Sequence, residues 1–242
     1  MSSIWSGITD AARSALTSRD YKVKPLIERL KTSGVSVKEL LCRKDTLTDG
    51  WIPGVSLIPR KIYRQPFRGY FGEFIRENND IINRIGLWPK QWATATMFAG
   101  TSKGFHIHPP YIPEGQQAEK FIPQAYDNNG DYIPKFLNID KEQWDIMFFT
   151  KGTVEMILID ERMGMERRIM RFTIDGDNVD TSVHAGVIIP AGVAHALRVE
   201  GSEDLVMVYG TSTTFNSEFE GRIASGVETC NLPQDWEEYI NI

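Results

Sequence analysis

The chain has 242 residues, 41% hydrophobic and 24% charged, the composition of a globular protein with a core of its own. Lys and Arg number 27 against 32 Asp and Glu, a formal net charge of −5, which argues against a general electrostatic attraction to nucleic acid or anionic membranes. The two cysteines, Cys42 and Cys230, form neither a disulfide framework nor a zinc-finger pattern, and no apolar run approaches the ~20 residues that span a bilayer.

The first residues, Met1 to Trp5, lack a basic stretch followed by an apolar one, so a soluble, cytoplasmic protein is expected. Ile4, Ile8, Ala12 and Leu16 recur at helical spacing. Residues 24–30 and 35–41 are two further short amphipathic pieces, separated by Ser33-Gly34. Residues 1–54 are therefore expected to form an α-helical extension that packs on the body or contacts another copy.

From residue 55 the pattern changes. Residues 55–58, 67–74, 91–98, 145–149, 154–159, 168–174, 186–189 and 205–209 read as strands, with a short helix around 77–85. Lys151-Gly152 and the Asp175-to-Asn178 stretch are turn signals. Short strands at hairpin spacing predict an all-β sandwich or barrel over 55–222, followed by a tail over 223–242. Residues 109–141 carry Pro109, Pro110, Pro113, Pro123 and Pro134 and little periodicity. Such an insertion is expected to be a lid or rim. Trp88, Trp92 and Trp144 are read as core residues.

The chemistry concentrates in three of the four histidines. Gly100 precedes His106 by six positions, and His108 follows two later. On a strand these two imidazoles project to the same face. Pro190-Ala191-Gly192-Val193-Ala194-His195 is a turn able to return a third imidazole to that interior. His184 sits in a polar stretch and is given no role.

A Gly-x5-His-x-His motif followed by Pro-x-Gly-x-x-His resembles the two-part signature of the cupins, double-stranded β-helix jelly-roll barrels. There the first motif continues with an acid and, seven positions on, a glycine. Asp145 and Gly152 keep that spacing across the insertion. The resemblance implies a ligand set of His106, His108, Asp145 and His195, suited to Fe, Mn, Ni or Zn.

Inside that superfamily, residues 55–215 look like the dTDP-4-dehydrorhamnose 3,5-epimerase (dTDP-sugar isomerase) family. The carrying residues are Arg68-Gly69-Tyr70-Phe71-Gly72-Glu73, Gln91, Lys103-Gly104-Phe105-His106, the Pro190-to-His195 turn, and Tyr209 followed by a Thr-rich loop through Phe215 and Asn216. The sequence departs from the family at Lys103 for Arg, Asp145 for Lys, Leu197 for an aromatic residue and Phe215 for Tyr. Lys103 keeps the charge and loses the bidentate fork.

The resemblance implies an epimerase or isomerase of a nucleotide-linked 4-keto-6-deoxy sugar, working in carbohydrate biosynthesis without a cofactor. His106 would be the base, Tyr209 the acid, and Lys103 the charge that stabilises the enolate. Arg68, Glu73, Gln91, His195 and Phe215 would bind the sugar nucleotide. Asp235 is the candidate carboxylate partner of His106. A homodimer is implied, with no nucleic-acid or membrane partner. Two alternatives stand beside this one: a metal-dependent cupin, either a dioxygenase or an isomerase of a small sugar or acid, and a catalytically silent sugar-binding barrel.

Overall fold

The computed structural model describes residues 35–36, 51–79, 88–108, 142–162, 165–179, 184–215 and 221–222. Among them are thirteen strands and no helix. They are β1 (Val35–Ser36), β2 (Ser56–Pro59), β3 (Ile62–Gln65), β4 (Gly69–Gly72), β5 (Gln91–Met97), β6 (Ser102–Ile107) and β7 (Asp145–Lys151). Then follow β8 (Thr153–Asp160), β9 (Ile169–Asp175), β10 (Ala185–Ile189), β11 (Val193–Glu200), β12 (Leu205–Thr211) and β13 (Gly221–Arg222).

Period-two patterning explains why these segments are strands. In β9, Met170, Phe172 and Ile174 are buried to one side. In β8 the same holds for Val154, Met156 and Leu158, and in β11 for Val193, Leu197 and Val199. These strands belong to a six-stranded sheet of order β1-β9-β8-β11-β6-β13. The second sheet, β2-β10-β7-β12-β5, presents Leu57, Met147, Phe149, Val187, Ile189, Leu205 and Met207 to the same core. Two sheets, antiparallel except where β1 joins β9, thus share one apolar interior. Alternate residues of β7, Ile146 and Phe148, join Ile58, Trp144 and Ile188 in a smaller cluster on the other side of the five-stranded sheet. The β3–β4 pair forms a separate ribbon carrying exposed Tyr63, Tyr70 and Phe71.

Several expectations are corrected. Val35–Ser36, placed at the start of a helical piece, is a strand that pairs with β9, in parallel through Phe172 and Thr173. The rest of the expected helical extension lies outside the described residues. Residues 77–78, where a helix was expected to start, form a turn, and 80–87 lie outside the description. So do 109–141 and 223–242. The 67–74 strand is shorter than expected and pairs with β3, which the sequence reading lacks. Trp144 is buried as expected, whereas Trp88 and Trp92 are 44% and 39% exposed and meet edge to face. Among the described residues, no helix is long and apolar enough to cross a membrane.

Candidate active site

The site lies between the two sheets. On the six-stranded sheet, β6 and β11 are antiparallel, and His106 sits directly opposite His195. The ladder shifts register between His195 and Leu197. On the other sheet, Thr211 of β12 faces Asp145 of β7 on one side and Gln91 of β5 on the other. Tyr209, two residues back, points the same way. Together these strands enclose a cavity of about 330 Å³.

Two glycines make this approach possible. Gly192 has φ +77°, which turns the chain from β10 into β11, and its N–H donates to the carbonyl of His108 at 2.7 Å. That bond ties the turn before His195 to the end of β6. Gly104 has φ +153°, and a Cβ there would lie 2.4 Å from Cβ of Ala196. Only glycine lets β6 and β11 close up between Lys103 and His106.

The imidazoles of His106, His108 and His195 converge, with one ring nitrogen of each within 4.8 Å of the others. His108 Nε2 is 3.1 Å from Asp145 Oδ2, and His195 Nε2 is 3.8 Å from the same oxygen. The shorter contact is a hydrogen bond; the longer one lies beyond hydrogen-bond range. Burial alone would raise the pKa of the Asp145 carboxyl. The imidazoles of His108 and His195 and the amide of Gln143 more than offset it, and the pKa falls to about 2. Burial pushes His195 down to about 4, against the attraction of Asp145. At neutral pH the cluster therefore holds an ionised carboxylate and a neutral His195. Three imidazoles and a carboxylate, with the acid already deprotonated, fit a divalent transition metal.

Of the residues the sequence singled out, Gln91, Lys103, His106, His108, Asp145, His195, Tyr209 and Phe215 all line the cavity. Phe215 is 65% exposed, at the cavity's lip, and its N–H donates to Gln91 Oε1 at 2.8 Å. Arg68 and Glu73 are not among the lining residues. Arg68 is exposed in the turn before β4, and the exposed Glu73 carboxylate pairs with Arg76 at 2.7 Å. The β3–β4 ribbon takes their motif away from the cavity of its own chain. Asp235 lies outside the described residues. The sequence reading missed Gln143, Met147, Leu197, Met207 and Thr211 as lining residues.

No family model matches the chain. A curated relative, the spore coat polysaccharide biosynthesis protein SpsL of Bacillus subtilis (strain 168), is 24% identical over 149 residues, covering 62% of this chain and 73% of that one. Among solved structures, a dTDP sugar isomerase from Desulfovibrio desulfuricans superposes with a TM-score of 0.52 at 12% identity. The match covers 77% of this chain and 92% of the isomerase. The fold is the cupin jelly roll. NovW, a 4-keto-6-deoxy sugar epimerase from the novobiocin gene cluster of Streptomyces spheroides, gives a TM-score of 0.49 at 18% identity, covering 70% of this chain and 68% of that one. In this barrel His106 lies near the end of β6 with His108 directly after the strand, and His195 lies near the start of β11.

Proposed function

We propose that the protein is an epimerase or isomerase of a nucleotide-linked 4-keto-6-deoxy sugar. One observation carries this reading: His106 and Tyr209 project from opposite sheets into one cavity. Epimerisation beside a ketone needs that arrangement. His106 removes the proton alpha to the carbonyl from one face of the sugar. The ammonium of Lys103, also lining the cavity, stabilises the enolate oxygen. Tyr209 returns a proton from the other face and inverts the centre. Met147, Leu197 and Met207 supply an apolar wall, and Gln91 and Phe215 form the lip where the nucleotide enters.

The similarity to the Bacillus relative, a polysaccharide biosynthesis protein, supports a sugar substrate. So does the similarity to the Desulfovibrio enzyme, a dTDP sugar isomerase. In this reading the protein is a cytoplasmic homodimer. The exposed Tyr63, Phe67 and Phe71 of the β3–β4 ribbon support a protein partner on that side.

The test is deuterium wash-in from heavy water into dTDP- and UDP-linked 4-keto-6-deoxy sugars, read by mass spectrometry. Exchange at the carbon beside the ketone is expected, and His106→Asn or Tyr209→Phe is expected to slow it ~10²- to 10⁴-fold. No exchange with any of these sugars, under conditions where the protein is folded, sinks the reading.

A second reading is favoured by the convergence of His106, His108 and His195, with the Asp145 carboxylate beside His108 and His195. These residues would hold a divalent transition metal, which when bound supplies Lewis-acid polarisation of a substrate oxygen. His106 is then a ligand and no longer a base. Elemental mass spectrometry of untagged protein separates the two readings. Metal-free protein active in the wash-in assay supports proton transfer by His106. About one metal per chain, lost in His108→Ala, replaces that mechanism.

A further inference from the structure

The five-stranded sheet ends on an open edge. Strand β5 pairs with β12 through all seven of its residues, with no shift of register. Its other edge has no strand partner among the described residues. That edge offers a row of backbone donors and acceptors roughly 24 Å long. Folded proteins usually guard such an edge with a charge, a proline or a bulge. Gln91-Trp92-Ala93-Thr94-Ala95-Thr96-Met97 has none of the three. Trp92, Thr94 and Thr96 are exposed on the outer face of the sheet. Aromatic rings continue across that face. Trp88 lies 6.2 Å from Trp92, Trp92 6.3 Å from Phe148, and Phe148 5.1 Å from Phe74, centre to centre. Just past the strand, Phe98 is 71% exposed.

We propose that β5 pairs antiparallel with β5 of a second copy, across a two-fold axis at Thr94, so that two five-stranded sheets become one. The edge is its own complement. In a two-fold contact the same strand lies on both sides, running opposite ways. With Thr94 against Thr94, Trp92 faces Thr96 and Ala93 faces Ala95. Thr–Thr and aromatic–Thr pairs across strands are stabilising. No like charges meet along the strand, although each chain carries a net charge of −5. The ends match as well. The exposed Lys90 of one copy arrives at Phe98 of the other. There the Asp204 carboxylate accepts from the Ala99 N–H at 3.0 Å. Symmetry repeats this meeting of cation and anion at both ends of the contact. It also gathers Trp88, Trp92 and Phe98, large apolar side chains exposed on the single chain. A foreign strand has no such match at both ends. The proposal deepens the homodimer of the proposed function by naming its surface, and it depends on no substrate.

The test is the mass of the full chain in solution, read by light scattering behind a sizing column. The wild type is expected at twice the single-chain mass. Thr94→Lys and Thr94→Glu each place like charges on the axis, and each is expected to run as a single chain. Mixed in equal amounts, the two variants are expected to return to the double mass, because opposite charges then meet. Thr94 Oγ1 donates to the Met207 carbonyl at 3.0 Å, so circular dichroism checks that both variants keep the wild-type β signal. Where they lose it, residue-resolved hydrogen exchange of the wild type decides. In a paired β5 every amide from Trp92 to Thr96 is slow; on an open edge the outward-pointing ones, every second residue, are fast. The proposal is overturned by a single-chain wild type, by Thr94→Lys at the double mass, by a mixture that stays at the single mass, or by alternating exchange along β5. None of these outcomes involves a sugar, so the epimerase reading stands or falls on its own wash-in assay.

Discussion

Asp145 and His195 share one buried pocket, and both have depressed pKa values. The two shifts make the site sensitive to acid in successive ranges. His195 titrates near 4 in the folded chain against ~6.5 unfolded. Between those values the unfolded state takes up a proton that the folded state refuses, so stability rises with pH there. The contribution is complete above pH ~6.5 and is lost as the pH falls toward 4. A drop of this size, at ~1.4 kcal/mol per pH unit, is on the order of 3 kcal/mol. The Asp145 carboxyl, lowered to about 2, adds a term that is complete above ~3.9 and lost as the pH falls toward 2. Urea midpoints measured from pH 7.5 down to 4.5 are expected to fall in the wild type. They are expected to fall less in His195→Gln, which has no proton to refuse. Equal slopes in the two proteins would show that His195 is not held neutral by burial.

At the scale of elements, legibility followed burial. Strands β5, β7, β8, β9, β10 and β12 were readable because each alternates or runs apolar between turn residues. Strand β3 was not, since Ile62–Gln65 buries almost nothing and so carries no pattern of burial. Strand β11 was hidden behind the turn that precedes it, although Val193, His195, Leu197 and Val199 show the period of two. The same period governs the site. Gln143 and Met147 flank Asp145 at two positions, Leu197 follows His195 by two, and Met207 and Thr211 flank Tyr209 by two. Met147, Leu197, Met207 and Thr211 each stand on the same strand face as a residue found through its chemistry, and Gln143 lies two positions before β7 on the approach to Asp145. Arg68 and Glu73 are the opposite case. Their motif was legible, but the direction of the β3–β4 ribbon is a tertiary fact. It is set by where β2 ends and by what holds that end down.

At the scale of the whole molecule, that hold is Arg60. It follows β2 directly and is buried, and it pairs with the buried Asp177 in the connection after β9. Its Nη2 donates to Asp177 Oδ2 at 2.9 Å, and its Nε donates to the carbonyl of Glu73 at 2.9 Å. The guanidinium lies 4.7 Å from the ring centre of Phe74 and 5.6 Å from that of Phe148. A neighbouring arginine, Arg64 of β3, donates to the carbonyls of Asp177 and Val179 at 2.8 and 2.7 Å. One cation thus joins the end of β2, the chain after β4 and the loop after β9. A buried pair of this kind adds little beyond an apolar replacement, but removing one member strands the other charge in low dielectric. Asp177→Ala is therefore expected to cost about 3–5 kcal/mol in urea unfolding. The double variant Arg60→Met, Asp177→Leu is expected to recover most of that loss, because no charge is left buried. Neither residue lines the cavity, so deuterium wash-in by the folded fraction is expected to be unchanged in both proteins. A cost below ~1 kcal/mol for Asp177→Ala would show instead that water reaches Arg60 and that the ribbon is held by its backbone pairing alone.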